Sequence, residues 1–200
     1  MRRSAAAVVF ATGFALLGTA CDEDAATGGA GTGETPGKKP KPSASRKVDG
    51  DAGKTLALGE TTALTYKRGS DRSITMEVTA KSVTKGSQSD LDAVKMDAAE
   101  RSMQPYYVTF DFKNIGENGL EYPSLTVPAR LRDGRGEESK QVITLGDDVK
   151  PCPAGDLEEF APKATATQCA VFLLPKGEKP SVVAYTGDYD KEPVFWKANG

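Results

Sequence analysis

The residues with the most definite chemistry in this 200-residue chain are three thiols, Cys21, Cys152 and Cys169. Histidine is absent. It is the commonest general base near neutral pH and the commonest metal ligand. Ser-His-Asp and Cys-His hydrolases and histidine-based zinc sites are therefore excluded. The thiols must act without an imidazole, as acceptors of a covalent group or as partners in a disulfide. If Cys21 is modified, Cys152 and Cys169 remain as an even pair, which in an oxidising compartment predicts a disulfide. The loop it would close spans 17 residues and would contribute about 3 kcal/mol in the chain-entropy view. The alternative is two free buried thiols.

Other constellations carry weaker signals. Ser82-Val83-Thr84-Lys85 matches the Ser-x-x-Lys of penicillin-binding enzymes, in which the serine opens a helix. Here it ends a β-branched run, and Lys-Thr-Gly and Ser-Asp-Asn are absent. Asp188, Asp190 and Glu192 place a carboxylate at every second residue, a donor set suited to Ca²⁺. The EF-hand glycine and its twelfth-position Glu are missing, so a solvated acidic turn is expected. The same reading applies to Asp147, Asp148 and Asp156 near Cys152. A carboxylate pair for glycoside hydrolysis is defined by spacing in space, not in sequence, and no pair stands out. Tyr106, Tyr107, Tyr122 and Trp196 are candidates for a binding face, although aromatics of a β-sandwich more often fill its core. No catalytic residue, cofactor or metal site is expected.

Cys21 stands where a mature chain would begin, directly after a leader. Arg2 and Arg3 precede an apolar run, Ala5 to Leu17, broken by Thr12 and Gly13, and then come Gly18, Thr19 and Ala20. Charged, apolar and small residues in that order mark a secretory signal peptide. The run of about 13 residues falls short of the roughly 20 that a spanning helix needs. Leu16-Leu17-Gly18-Thr19-Ala20-Cys21 resembles a bacterial lipobox. It departs in having Gly18 where an apolar residue is usual, with Leu17 one place too far upstream. Lipid attachment at Cys21 is the expectation; cleavage near Ala20 with a bare thiol is the alternative. Arg2-Arg3 also suggests a twin-arginine signal, but such signals normally have more residues around the pair.

The chain holds 26 Lys+Arg and 28 Asp+Glu, and without Arg2 and Arg3 the balance is acidic. No basic field attracts nucleic acid. Residues 21–54 read as a lipidated, disordered tether rich in Gly, Pro and Lys, too poor in large apolar residues to offset its ordering entropy. The basic cluster Lys38, Lys39, Lys41, Arg46 and Lys47 is expected to be solvated. Residues 55–200 are long enough for one domain with its own core.

Within that domain the dominant period is two. Tyr106, Val108, Phe110 and Phe112 fall on one face, and Tyr107, Thr109, Asp111 and Lys113 on the other, so the first set is expected buried and the second wet. Asn114-Ile115-Gly116 ends that strand. Further strands are expected at Thr62–Tyr66, Ile74–Lys81, Leu125–Arg132, Gln141–Leu145, Ala170–Leu174, Ser181–Thr186 and Pro193–Lys197. Pro128 puts its strand at an edge or bulge. Asp133-Gly134-Arg135-Gly136 is expected to turn a hairpin into Gln141–Leu145. Ala170–Leu174, apolar on both faces, is expected to be central. Ser89–Met103 holds at most a short helix or 3₁₀ turn, with Asp90 as a cap. Short strands with frequent turns predict an all-β fold, an antiparallel Ig-like β-sandwich of about 7–8 strands behind a signal peptide (1–20) and linker.

Pro105-Tyr106-Tyr107-Val108-Thr109-Phe110-Asp111-Phe112-Lys113-Asn114-Ile115-Gly116 resembles the aromatic strand ending in Asn-x-Gly of secreted bacterial proteins with a telokin-like, immunoglobulin-like fold. The order of lipobox, linker, Cys152, Cys169, Leu174 to Gly177 and Val194 to Trp196 is similar to actinobacterial lipoproteins of that kind. The resemblance covers roughly residues 60–200. It implies the fold and a lipid-anchored position on the extracytoplasmic face of the cell membrane, and no activity. Cys152 and Cys169 are too close in sequence for the inter-sheet bridge of immunoglobulin domains, so the pair is expected to pin a loop to a strand. The expected role is a monomeric, non-catalytic binding module at the cell surface, with a protein or glycan of the envelope as partner. The alternatives are an accessory or inhibitory domain for an envelope enzyme or transporter, and a histidine-free, carboxylate-dependent cell-wall hydrolase. Two converging carboxylates would favour the hydrolase; an exposed aromatic patch would favour the binding module.

Overall fold

The computed structural model describes residues 46–69, 72–144, 148–155 and 157–198. The signal peptide, Cys21, Asp147 and Asp156 lie outside the described residues. Eleven strands follow one another: β1 (Thr55–Ala57), β2 (Thr61–Arg68), β3 (Arg72–Lys85), β4 (Gln104–Asn114), β5 (Leu120–Glu121), β6 (Ala129–Asp133), β7 (Lys140–Val142), β8 (Glu159–Phe160), β9 (Thr165–Leu174), β10 (Pro180–Tyr185) and β11 (Val194–Lys197). They form a four-stranded sheet in the order β1-β11-β10-β6, a five-stranded sheet in the order β2-β3-β4-β9-β7, and a ribbon of β5 with β8. Every pairing is antiparallel except β1 with β11. All eight expected strands have a counterpart, and the sandwich is the fold.

The core forms where the two apolar faces meet. Ile74, Met76, Val78, Val108, Phe110, Phe112 and Phe172 from the larger sheet pack against Leu131, Val183, Tyr185, Val194 and Trp196 from the smaller. Two of these side chains are polar at one end, and both ends are satisfied. Trp196 Nε1 donates to the Glu60 carbonyl at 2.8 Å, and the Tyr185 hydroxyl donates to the Leu125 carbonyl at 2.7 Å. Asn114, buried at the end of β4, donates to the carbonyls of Asn118 and Phe160 and accepts from the Gly116 amide. The Asn-x-Gly ending therefore latches the ribbon under the core.

A second apolar cluster lies on the outer face of the larger sheet. Tyr107, Val171 and Leu173 are covered by Leu91, Val94, Val149 and Cys152. This corrects two expectations. Tyr107 is buried, because the chain between β3 and β4 folds over it. β9 is apolar on both faces because it has a core on each side; it lies between β4 and the short β7, next to the sheet edge. The covering segment holds a 3₁₀ turn, Gln88–Leu91, and one helical turn α1, Ala98–Arg101. Ser87 and Asp97 are the N-caps, each in a reciprocal capping box, so Asp90 is the third-position partner of the box and not the cap.

Three boundaries differ from the sequence reading. Leu125–Pro128 forms turns and the strand begins at Ala129, so Pro128 precedes the ladder instead of interrupting it. The Asp133–Gly136 turn forms as expected, with Gly136 at φ +84° and the buried Asp133 carboxylate accepting from the amides of Arg135 and Glu137. Its return strand leaves the sheet: after a bridge from Glu138 to Arg132, the chain crosses over and β7 pairs with β9. At the other flank the body begins before residue 55. The Asp49 amide donates to the Ala63 carbonyl, and the Asp49 carboxylate accepts from the amide and hydroxyl of Thr65. Lys191 pairs with Asp49, and the Gly53 amide donates to the Pro193 carbonyl. Residues 48–54, read as the end of the linker, form a strap that covers the β2 edge and joins the two sheets. Short polar side chains conceal this in sequence, because the strap is held by hydrogen bonds and not by apolar burial.

Candidate functional site

The cysteine pair is bonded. Cys152 and Cys169 form a disulfide with Cα atoms 5.2 Å apart, pinning the turn before it to β9 as expected. Both flank the second apolar cluster, so the bond holds the cover over Tyr107, Val171 and Leu173.

Ser82 and Lys85 both lie in β3, three residues apart. Side chains alternate along a strand, so the two point to opposite faces and share no site. The acidic turn departs from its expectation. Asp188 is 4% exposed and not solvated, with Lys67 Nζ 2.9 Å away; Asp190 is exposed and 3.1 Å from the same ammonium. Burial raises the Asp188 carboxyl pKa, but Lys67 and the Asp190 amide outweigh it, and the group sits below the ordinary carboxylate range. The same hydrogen bonds raise Lys67 above the ordinary lysine value. This pair ties the β10–β11 loop to β2. Among the described residues, no group of three or more Cys, Asp or Glu is placed to hold a metal ion.

Of the four candidate aromatics, Tyr106, Tyr107 and Trp196 are buried. The Tyr107 hydroxyl donates to Asp90 at 2.9 Å, and burial together with that carboxylate pushes its pKa up. Tyr122 alone is exposed, at 66%. It stands at the rim of a groove of about 460 Å³ whose walls are Tyr122–Val127 on one side and Gln141–Thr144 on the other. Gln168, Cys169, Ala170 and Val171 form the floor. Four consecutive strand residues can line one groove only through the strand's edge, because their side chains alternate. The reason is visible in the pairing. β7 meets β9 only at Val171–Leu173. From Thr165 to Ala170 β9 pairs with β4, and among the described residues no backbone hydrogen bond reaches it from the other side.

The wall opposite β7 is held unusually firmly for a loop. Four consecutive carbonyls of the wall each accept from a side chain of the sandwich, Ser124 from Tyr66, Leu125 from Tyr185, Thr126 from Gln141 and Val127 from Arg130, and just before the wall the Glu121 carbonyl accepts from Arg68. With its backbone fixed from both sheets, the loop turns Tyr122 and Val127 outward, and Ile143 faces the same groove from the β7 side; Val127 is 42% and Ile143 66% exposed. Tyr122 has φ +45°, a left-handed conformation that a bulky residue rarely adopts. Holding it there stores on the order of 1 kcal/mol. Glu158 is the only charged residue of the lining among the described residues, and its carbonyl accepts from the Tyr122 amide at 2.8 Å.

Sequence reading found Tyr122 and missed Val127 and Ile143. Alternation placed Val127 on a buried strand face; the bracketing Pro123 and Pro128 were the available sign of a loop. It also missed Tyr189, exposed on the acidic turn.

No family model matches the chain, and no curated protein matches it. Solved structures share its shape distantly. YjhA from Bacillus subtilis is 17% identical over 72% of this chain and 99% of that one, with a TM-score of 0.49. An uncharacterized β-sandwich protein from Clostridium difficile 630 is 17% identical over 80% of this chain and 99% of that one, at 0.44. YcdA from Bacillus subtilis, a candidate lipoprotein, is 19% identical over 62% of this chain and 36% of that one, at 0.44.

Proposed function

We propose that this protein is an extracytoplasmic lipoprotein, anchored to the membrane through lipid on Cys21, whose β-sandwich works as a non-catalytic binding module. The observation that carries the binding role is the pre-formed groove. Its wall is fixed by side-chain donors from both sheets, and it turns Tyr122, Val127 and Ile143 to solvent. A rigid apolar surface binds without a large ordering loss. Among the described residues the groove lining offers one carboxylate, Glu158, where glycoside hydrolysis calls for a converging pair. The export and anchoring role rests on the leader and on Cys21. Among the described residues no helix is long and apolar enough to cross a membrane.

Two measurements test this. A photo-crosslinking residue at position 143, in the full chain in its native cells, should capture envelope partners; one at position 84, away from the groove, should not. Equal capture at both positions would remove the groove. Cys21→Ala should release the protein from the membrane fraction; unchanged retention would remove the lipid anchor.

A further inference from the structure

We infer that the occupant of this groove is an extended polypeptide segment, added to the five-stranded sheet as a strand along β9, with a lysine or arginine at the end near Tyr122 and Glu158. The inference rests on the reading of the groove as a binding surface and names what that surface takes.

The floor decides the class of partner. It is a strand edge: pairing with β4 takes the N–H and C=O groups of Ala166, Gln168 and Ala170, and those of Thr165, Thr167 and Cys169 face away from β4 with no backbone partner among the described residues. Those groups match the main chain of another extended peptide, repeating at the same spacing. A sugar ring or a rounded apolar ligand would leave them unpaired, which is costly once water is excluded. The walls then read alternate side chains of the incoming strand. Val127 and Ile143 offer apolar contacts, and the rigid wall keeps them in register.

Charge decides the rest. Glu121 and Glu159 stand directly opposite each other in the β5–β8 ribbon, and Glu158 is adjacent. Like charges in that position repel. Among the described residues none of the three has an ion-pair partner. Arg68 directs Nη1 to the Glu121 carbonyl instead. An incoming cation would relieve this repulsion, and the exposed Tyr122 ring supplies a face for it to rest on. The left-handed backbone of Tyr122, which keeps that ring out of the core, gains a purpose.

The test uses the ¹⁵N-labelled full chain in detergent micelles and four probes. The first is a capped, alternating Val/Thr octapeptide with arginine at both ends. The second carries glutamine in place of arginine, the third is the arginine peptide fully N-methylated on its backbone, and the fourth is chitotetraose. The arginine peptide should bind and slow amide exchange at Thr167 and Cys169, whose N–H groups face away from β4. The glutamine peptide should bind roughly three- to fivefold more weakly, the scale of a partly exposed ion pair. The N-methylated peptide should not bind. Glu158→Gln should weaken the arginine preference, and the triple variant Glu121→Gln, Glu158→Gln, Glu159→Gln should erase it. Equal binding of the N-methylated peptide would overturn strand addition, as would chitotetraose binding in the groove without peptide binding. Both would leave the groove as a binding surface. A concentration-dependent dimer abolished by Ile143→Asp would make a second copy the occupant and overturn the inference. No probe binding together with no envelope capture at position 143 would overturn both readings.

Discussion

Lys67 and Asp188 show how one ion pair can make stability depend on pH. The Asp188 carboxyl is held below its ordinary value, so its contribution is present above about pH 4 and is lost as pH falls through the lowered folded value. Lys67→Met should remove that support and leave a buried carboxylate unpaired. Urea unfolding between pH 3 and 7 should show lower stability at pH 7 and a much smaller loss on acidification than the unaltered protein shows. Asn114 makes the corresponding point for a neutral group. Asn114→Ala would remove the donor to the carbonyls of Asn118 and Phe160, leaving the Gly116 amide with the Thr75 carbonyl, and should cost about 2 kcal/mol in denaturant unfolding. Neither role was legible in sequence. Asp188 looked like one more solvated acid because nothing local announces that Lys67, 121 positions earlier, lies beside it. Asn114 was seen only as the end of a strand.

Elements were easier to foresee where one force dominated. The two-residue period found β2, β3 and β4 because each buries one face. It failed at Tyr107 and misjudged β9, where a local cover adds a second core that alternation cannot report. The strap at 48–54 failed for the opposite reason, being held by hydrogen bonds with little apolar content, and the turns at 125–128 failed because their apolar alternation imitates a strand while side-chain donors fix the backbone as a loop. The groove was therefore invisible as a site, since its wall is one of those turns and its floor exists only because β7 stops early. Two outcomes test these elements. Replacing Cys152 and Cys169 with alanine should lower stability by about 3 kcal/mol. The loss should appear first as faster amide exchange around Val171 and Leu173. Deleting residues 46–54 should lower the thermal midpoint by on the order of 10 °C, from a few lost hydrogen bonds at roughly 2–4 °C per kcal/mol. Deleting residues 22–44 instead should leave it nearly unchanged.

For the whole molecule, both open flanks of the larger sheet are managed. The strap covers β2, and the crossover from β6 supplies β7 at the far side but stops after three residues. Flush edges are hazards for sheet proteins, and one left open beside an ordered wall is a place for recognition. The strap also settles where a pull on the chain would enter the body. Strands β3 and β4 separate β2 from β9, a distance on the order of 15 Å at ordinary strand spacing. Tension arriving through residue 46 is borne by Asp49, Thr65 and Lys191 on one flank. On the proposed reading, the mouth that receives a guest opens on the other, so drag on a membrane leash would be shed without loosening the grip.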